Sequence, residues 1–129
     1  MILPDTNVLI AYFANHESSV MLLNEALLHK KLVFSVIAVA EFLAKANKEA
    51  TTTMNHFVDE IGIKEITREI MEQAVTYRKQ TLQKSKRAHL LDCFIAATAK
   101  VHKATLLTFD HRDYPFPDLS VKQPEEISL

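Results

Sequence analysis

The sequence predicts an α/β domain with a mostly parallel central sheet flanked by helices. Short apolar stretches at Met1 to Leu3, Leu32 to Phe34 and Ala104 to Thr108 read as buried strands. Long segments of helical periodicity separate them, and parallel strands need crossovers of that length. At 129 residues the chain matches one core, so a single domain over residues 1–129 is expected.

The elements follow in order. Met1 to Leu3 forms a strand broken by Pro4, and Thr6 to Phe13 begins a short helix. Ser18 to His29 places Val20, Leu23, Ala26 and Leu27 on one helical face. Leu32 to Phe34 is a second strand, and Ser35 caps a helix running to about Lys48. Met54, Phe57, Val58 and Ile61 recur at helical spacing up to Gly62, where a helix ends. Ile63 to Ile66 has weak strand character, and Thr67 caps a helix through about Leu82 with Ile70, Ala74 and Tyr77 inward. A helix over His89 to His102 and a strand over Ala104 to Thr108 follow, then an irregular tail punctuated by Pro115, Pro117 and Pro124.

Composition excludes several function classes. With 15 Lys+Arg against 16 Asp+Glu the net charge is -1, so no global basic field announces a nucleic acid, and a polyanion would need a local patch. One glycine leaves no Gly-rich phosphate loop or dinucleotide fingerprint. The six histidines show no zinc spacing. One cysteine closes no internal disulfide and the N-terminus lacks a secretory pattern, so a cytoplasmic location is expected. The longest apolar runs are short and contain Glu41 and Asp92, so no membrane span is expected.

Four acids carry the chemistry. Asp5 follows the first strand and Asp110 the strand ending at Thr108; in parallel sheets ligands bind at such carboxyl ends. Glu41 interrupts Val-Ile-Ala-Val-Ala-Glu-Phe-Leu-Ala, and Asp92 interrupts Leu-Leu-Asp-Cys-Phe-Ile-Ala-Ala. A carboxylate among apolar neighbours is costly unless paired or bound to a metal. Singly, each has a plainer role: Asp5 as a helix N-cap, Asp110 as a turn residue, Glu41 and Asp92 in salt bridges. Together they suit Mg²⁺ or Mn²⁺, whether one ion or two, and hydrolysis of a phosphodiester by water that the ion activates.

The same residues resemble a known family. Asp5-Thr6-Asn7-Val8-Leu9-Ile10, the Ser35-capped helix carrying Glu41, Asp92-Cys93-Phe94-Ile95-Ala96-Ala97-Thr98-Ala99, and Leu106 through Tyr114 look like the successive motifs of PIN-domain nucleases. In size and motif order the chain is most similar to VapC-type toxins of toxin-antitoxin pairs. The resemblance implies a PIN-like three-layer domain in which Asp5, Glu41, Asp92 and Asp110 hold the metal, with Thr6, Asn7, Thr108 and Asp113 in support. It also implies an endoribonuclease leaving 5′-phosphate and 3′-hydroxyl ends, a homodimer, and silencing by a cognate antitoxin. The chain departs from the family at His102-Lys103-Ala104, where a glycine is common, and residues 50 to 88 carry no family signature.

The basic segment Arg78, Lys79, Lys84, Lys86 and Arg87 leads into the Asp92 helix, either as an RNA contact or as a solvated helix end. Tyr12, Phe13 and Tyr114 are candidates for base stacking or for the core, and helices Ser18 to His29 and Met54 to Ile61 for partner contacts. His89 and Cys93 share a helix face, which formally permits a thiol-imidazole pair, but apolar surroundings favour a structural cysteine. The rival readings are a Mg²⁺-binding module that binds RNA or a protein without cleavage, and an Asp-nucleophile phosphatase. The latter wants a second aspartate where Asn7 stands.

Overall fold

The computed structural model describes residues 1–84 and 88–129. Among the described residues three parallel strands lie in the order β1-β2-β3: β1 (Ile2–Pro4), β2 (Thr105–Leu107) and β3 (Val121–Lys122). Leu3 sits opposite Leu106, and Leu106 opposite Val121. Six helices among the described residues flank the sheet: α1 (Thr6–Phe13), α2 (Glu17–Leu28), α3 (Val36–Lys45), α4 (Lys48–Ile61), α5 (Arg68–Gln83) and α6 (Leu90–Val101).

The other two expected strands shrink to single bridges, Ile2 with Leu32 and Ser35 with Lys64. Proline chemistry explains the first. Ile2 donates to the Lys31 carbonyl at 2.8 Å and accepts from Val33 at 2.9 Å. The next rung of a parallel ladder would need an N–H from residue 4, and Pro4 has none. Pro4 instead closes β1 as its last paired residue, opposite Leu107. The tail, expected to be irregular, contributes β3, held as Leu106 donates to Ser120 at 2.9 Å and Thr108 to Lys122 at 3.0 Å. A two-residue strand shows no alternation in sequence, and only its neighbour defines it.

Helix boundaries follow local chemistry. The Ser35 hydroxyl accepts from the Ile37 and Ala38 N–H groups, as an N-cap should. The expected run of α3 to about Lys48 stops at Lys45, because Asn47 turns extended and caps α4 through the Ala50 N–H at 2.8 Å. α6 starts at Leu90, which puts Asp92 in its first turn rather than its interior. The core gathers Leu3, Val8, Met54, Ile70, Tyr77, Ile95, Leu106 and Leu107, each fully buried. Tyr77 also anchors the chain's end, stacking on Phe116 with ring centroids 4.0 Å apart and donating to Asp118 at 3.2 Å.

Gly62 ends α4 at φ 83 and ψ -177, a backbone region essentially reserved for glycine. Nothing lies within 4 Å of where a Cβ would stand, so any cost of a side chain there is conformational rather than steric crowding. We expect Gly62→Ala to lower the unfolding free energy by about 1–3 kcal/mol, read from urea midpoints at unchanged m. An unchanged midpoint would show that the turn relaxes freely.

Candidate metal centre

The carboxyl ends of β1 and β2 bring the acids together. Asp5 directly follows β1 and is 8% exposed. Its Oδ1 accepts the Thr6 N–H at 2.7 Å, which caps α1, and its Oδ2 accepts the Thr108 hydroxyl at 3.1 Å from just beyond β2. The Thr6 hydroxyl donates to Glu41 Oε1 at 2.8 Å, tying α1 to α3. Asn7 bridges the same two strand ends: its amide donates to the Thr108 hydroxyl at 3.2 Å, and its carbonyl oxygen accepts the Phe109 N–H at 3.3 Å. Asp92 enters from α6, its carboxylate accepting the His89 N–H at 3.3 Å.

Burial, with mutual repulsion added to it, works against the charge of two of these acids. Burial first, with the Asp92 charge adding to it, pushes the Asp5 pKa up to about 6 despite its hydrogen bonds. Burial likewise raises Asp92, and the charges of Asp113 and Glu41 act in the same direction. Among the described residues no Lys or Arg forms an ion pair with Asp5, Glu41 or Asp92. Nor do any three described His, Cys, Asp or Glu side chains converge as a ready-made ion cage.

Asp110 and Asp113 take different places. The Asp110 N–H donates to the Thr108 hydroxyl at 3.1 Å, while its carboxylate caps the short 3-10 turn His111–Asp113 through the Arg112 N–H. The Arg112 guanidinium stands 3.6 Å away. Asp113, expected only in support, is half-buried and close enough to raise the Asp92 pKa. Tyr114 is 3% exposed beside Asp5 and Asp92, so it offers no face to a base; its hydroxyl is buried without an aligned hydrogen-bond partner. Sequence reasoning missed Tyr114 as part of this cluster, although its position directly after Asp113 was the available signal.

The donor set is made of oxygens: carboxylates, of which Asp5, Glu41 and Asp92 form no ion pair with a described Lys or Arg, hydroxyls, and one buried phenol. It fits Mg²⁺ or Mn²⁺, with Asp5, Glu41 and Asp92 as the residues that would hold the ion and Asp110 and Asp113 at its margin. The basic segment divides. Arg78 is half-buried and donates to the Ala88 carbonyl at 2.9 Å, clamping α5 to the start of α6. Lys79 and Lys84 are exposed, and Lys86 and Arg87 lie outside the described residues. Tyr12 and Phe13 pack edge-on at 5.1 Å, and Phe13 meets Phe42 at 4.8 Å, so both belong largely to the core. Burial pushes the Cys93 thiol up to about 11, a structural cysteine rather than a nucleophile. No helix among the described residues is long and apolar enough to cross a membrane.

Comparison with known proteins bears on this centre. The chain is similar to a toxin-antitoxin complex protein from Klebsiella pneumoniae, at 26% identity and TM-score 0.72, covering 96% of this chain and 98% of that one. It is similar to a chain of FitAcB from Neisseria gonorrhoeae at 25% identity and TM-score 0.75, covering 98% and 100%. A chain of VapBC2 from Rickettsia felis, solved bound to a promoter DNA fragment, shares the fold at TM-score 0.78 and 22% identity, covering 95% and 98%. No curated protein matches significantly. The PIN domain family model matches residues 2–121, a span that starts at β1 and ends in β3 and so takes in every strand and every acid of the cluster; the chain belongs to the PIN-domain family.

Proposed function

We propose that the chain is the toxin of a toxin-antitoxin pair, a Mg²⁺- or Mn²⁺-dependent endoribonuclease. The observation that supports this reading is the nearness of three acids beyond β1, on α3 and on α6: the Asp92 charge acts on Asp5 and the Glu41 charge on Asp92, with no described Lys or Arg paired to any of them. The family match supports a nuclease, and the toxin-antitoxin neighbours support an antitoxin partner.

When bound, the ion would polarise the phosphoryl oxygen, acidify a water and stabilise the leaving oxygen. The chain's own groups do the rest. Thr6, Thr108 and the His89 N–H hold Glu41, Asp5 and Asp92 in fixed orientations. The exposed Lys79 and Lys84 offset the repulsion between an acidic centre and phosphate, and with Lys86 and Arg87 are the proposed RNA contacts. Cleavage leaves a 5′-phosphate and a 3′-hydroxyl. The exposed Met21 and Leu28 on α2 support a homodimer or antitoxin contact there.

Burial of Asp5 links ion binding to stability. Its folded pKa of about 6 lies above its unfolded value near 3.8. The group therefore stabilises the fold fully below pH 3.8, and that contribution is lost as pH rises through about 6. At about 1.4 kcal/mol per unit the loss is roughly 3 kcal/mol at neutral pH, which a bound cation would offset.

Three outcomes test this reading. Purified protein with Mg²⁺ or Mn²⁺ should cut a total-RNA pool, with EDTA and Asp92→Asn each abolishing the cuts; identical traces from wild type and variant would leave only an ion-binding or RNA-binding module. In EDTA, Asp5→Asn should melt above wild type at pH 7.5, with the gap closing toward pH 4.5, whereas a gap independent of pH would refute the burial argument. Sedimentation at micromolar concentration should give a dimer, and a monomer there would remove the homodimer from the proposal.

A further inference from the structure

We propose that the Tyr114 hydroxyl is a positioning group for Asp5, donating the hydrogen bond that holds this carboxylate turned toward the divalent ion. The proposal rests on the reading of the acid cluster as an ion site. Tyr114 is 3% exposed, and its oxygen is buried without an aligned hydrogen-bond partner. It nevertheless stands beside Asp5, close enough for the phenol to steady the carboxylate charge. A hydroxyl stranded in that way destabilises the fold relative to a phenylalanine of the same shape. Phe116, two residues on and equally buried, shows that this segment packs a plain phenyl ring well.

The backbone that carries the ring is tied on both sides. The Tyr114 N–H donates to the His111 carbonyl at 3.1 Å, and its own carbonyl accepts the Phe116 N–H at 2.9 Å. Beyond it, Asp118 is fastened to Tyr77 at 3.2 Å and to Lys100 at 3.5 Å. A buried phenol beside a carboxylate, with no other polar group aligned on it, is arranged to donate to that carboxylate. Asp5 Oδ1 and Oδ2 already take the Thr6 N–H at the start of α1 and the Thr108 hydroxyl just beyond β2. A third donor from the C-terminal segment stops the carboxylate from rotating between them.

The test compares Mn²⁺ binding, followed by the electron paramagnetic resonance of the free ion, with calorimetric melting in EDTA, for the full chain and Tyr114→Phe. The variant should bind Mn²⁺ about tenfold more weakly, as for other groups that orient a metal's ligands. Its metal-free melting temperature should equal or exceed that of wild type. Unchanged Mn²⁺ affinity would overturn the proposal. A lower metal-free melting temperature would also overturn it, whatever the affinity, since the hydroxyl would then be serving the fold. Wild type that takes up no Mn²⁺ would overturn the ion site itself, whereas binding by wild type and variant alike removes only the role of Tyr114.

Discussion

A buried carboxylate at the end of the first strand is the constraint on which the rest of the structure depends. Asp5 is 8% exposed, and three residues of strand place it opposite the end of β2. Taking its charge out of water is unfavourable, and the Thr6 N–H and Thr108 hydroxyl recover only part of that cost, as its raised pKa records. A fold built only for stability would put an apolar residue there. The surrounding structure instead supplies enough burial to tolerate one strained acid and then crowds others toward it.

Sheet pairing and site geometry are the same set of contacts. The Asn7 to Thr108 and Thr108 to Asp5 hydrogen bonds join residues 101 and 103 positions apart. They sit directly above the β1 to β2 ladder, whose last rung is the Asp5 N–H to the Leu107 carbonyl at 2.8 Å. Closing so long a loop is entropically costly, and the fully buried Leu3, Leu106 and Leu107 supply the apolar burial that favours it. Once that register is set, Asp5, Thr108 and Asn7 have little freedom left. Thr6 passes the constraint to Glu41, and the first turn of α6 brings in Asp92.

Much of the fold was legible because local signals and tertiary needs agree. α1 runs from Thr6 to Phe13 as read, and the caps at Ser35, Thr67 and Gly62 stand where their chemistry puts them. The misreadings have definite causes. Pro4 withholds the N–H that would have carried Leu32 to Phe34 beyond one bridge. β3 exists only because the edge of β2 offers it partners, which residues 121 and 122 do not announce. Asn47 starts a new helix where continuous helical propensity suggested that α3 would run on.

The sequence by itself determined the family and the parallel α/β plan, and it singled out the acids, because a carboxylate in an apolar run or at a strand's end stands out from composition and period alone. It also singled out Thr6, Asn7 and Thr108 through the family motifs they sit in, whereas the groups they hold lie far along the chain, Glu41 35 positions from Thr6 and Asp5 103 positions from Thr108. Only the tertiary structure decided how the acids divide. The Asp110 carboxylate accepts the Arg112 N–H in a 3-10 turn, and Asp113 stands near Asp92, contacts that residue type does not announce. It alone decided that Tyr114 lies inside the cluster and Tyr12 outside it, and that Arg78 clamps helices while Lys79 meets solvent. The reason is physical: residue type sets what a side chain can do, whereas burial and neighbours, which arise from contacts across the chain, set what it does.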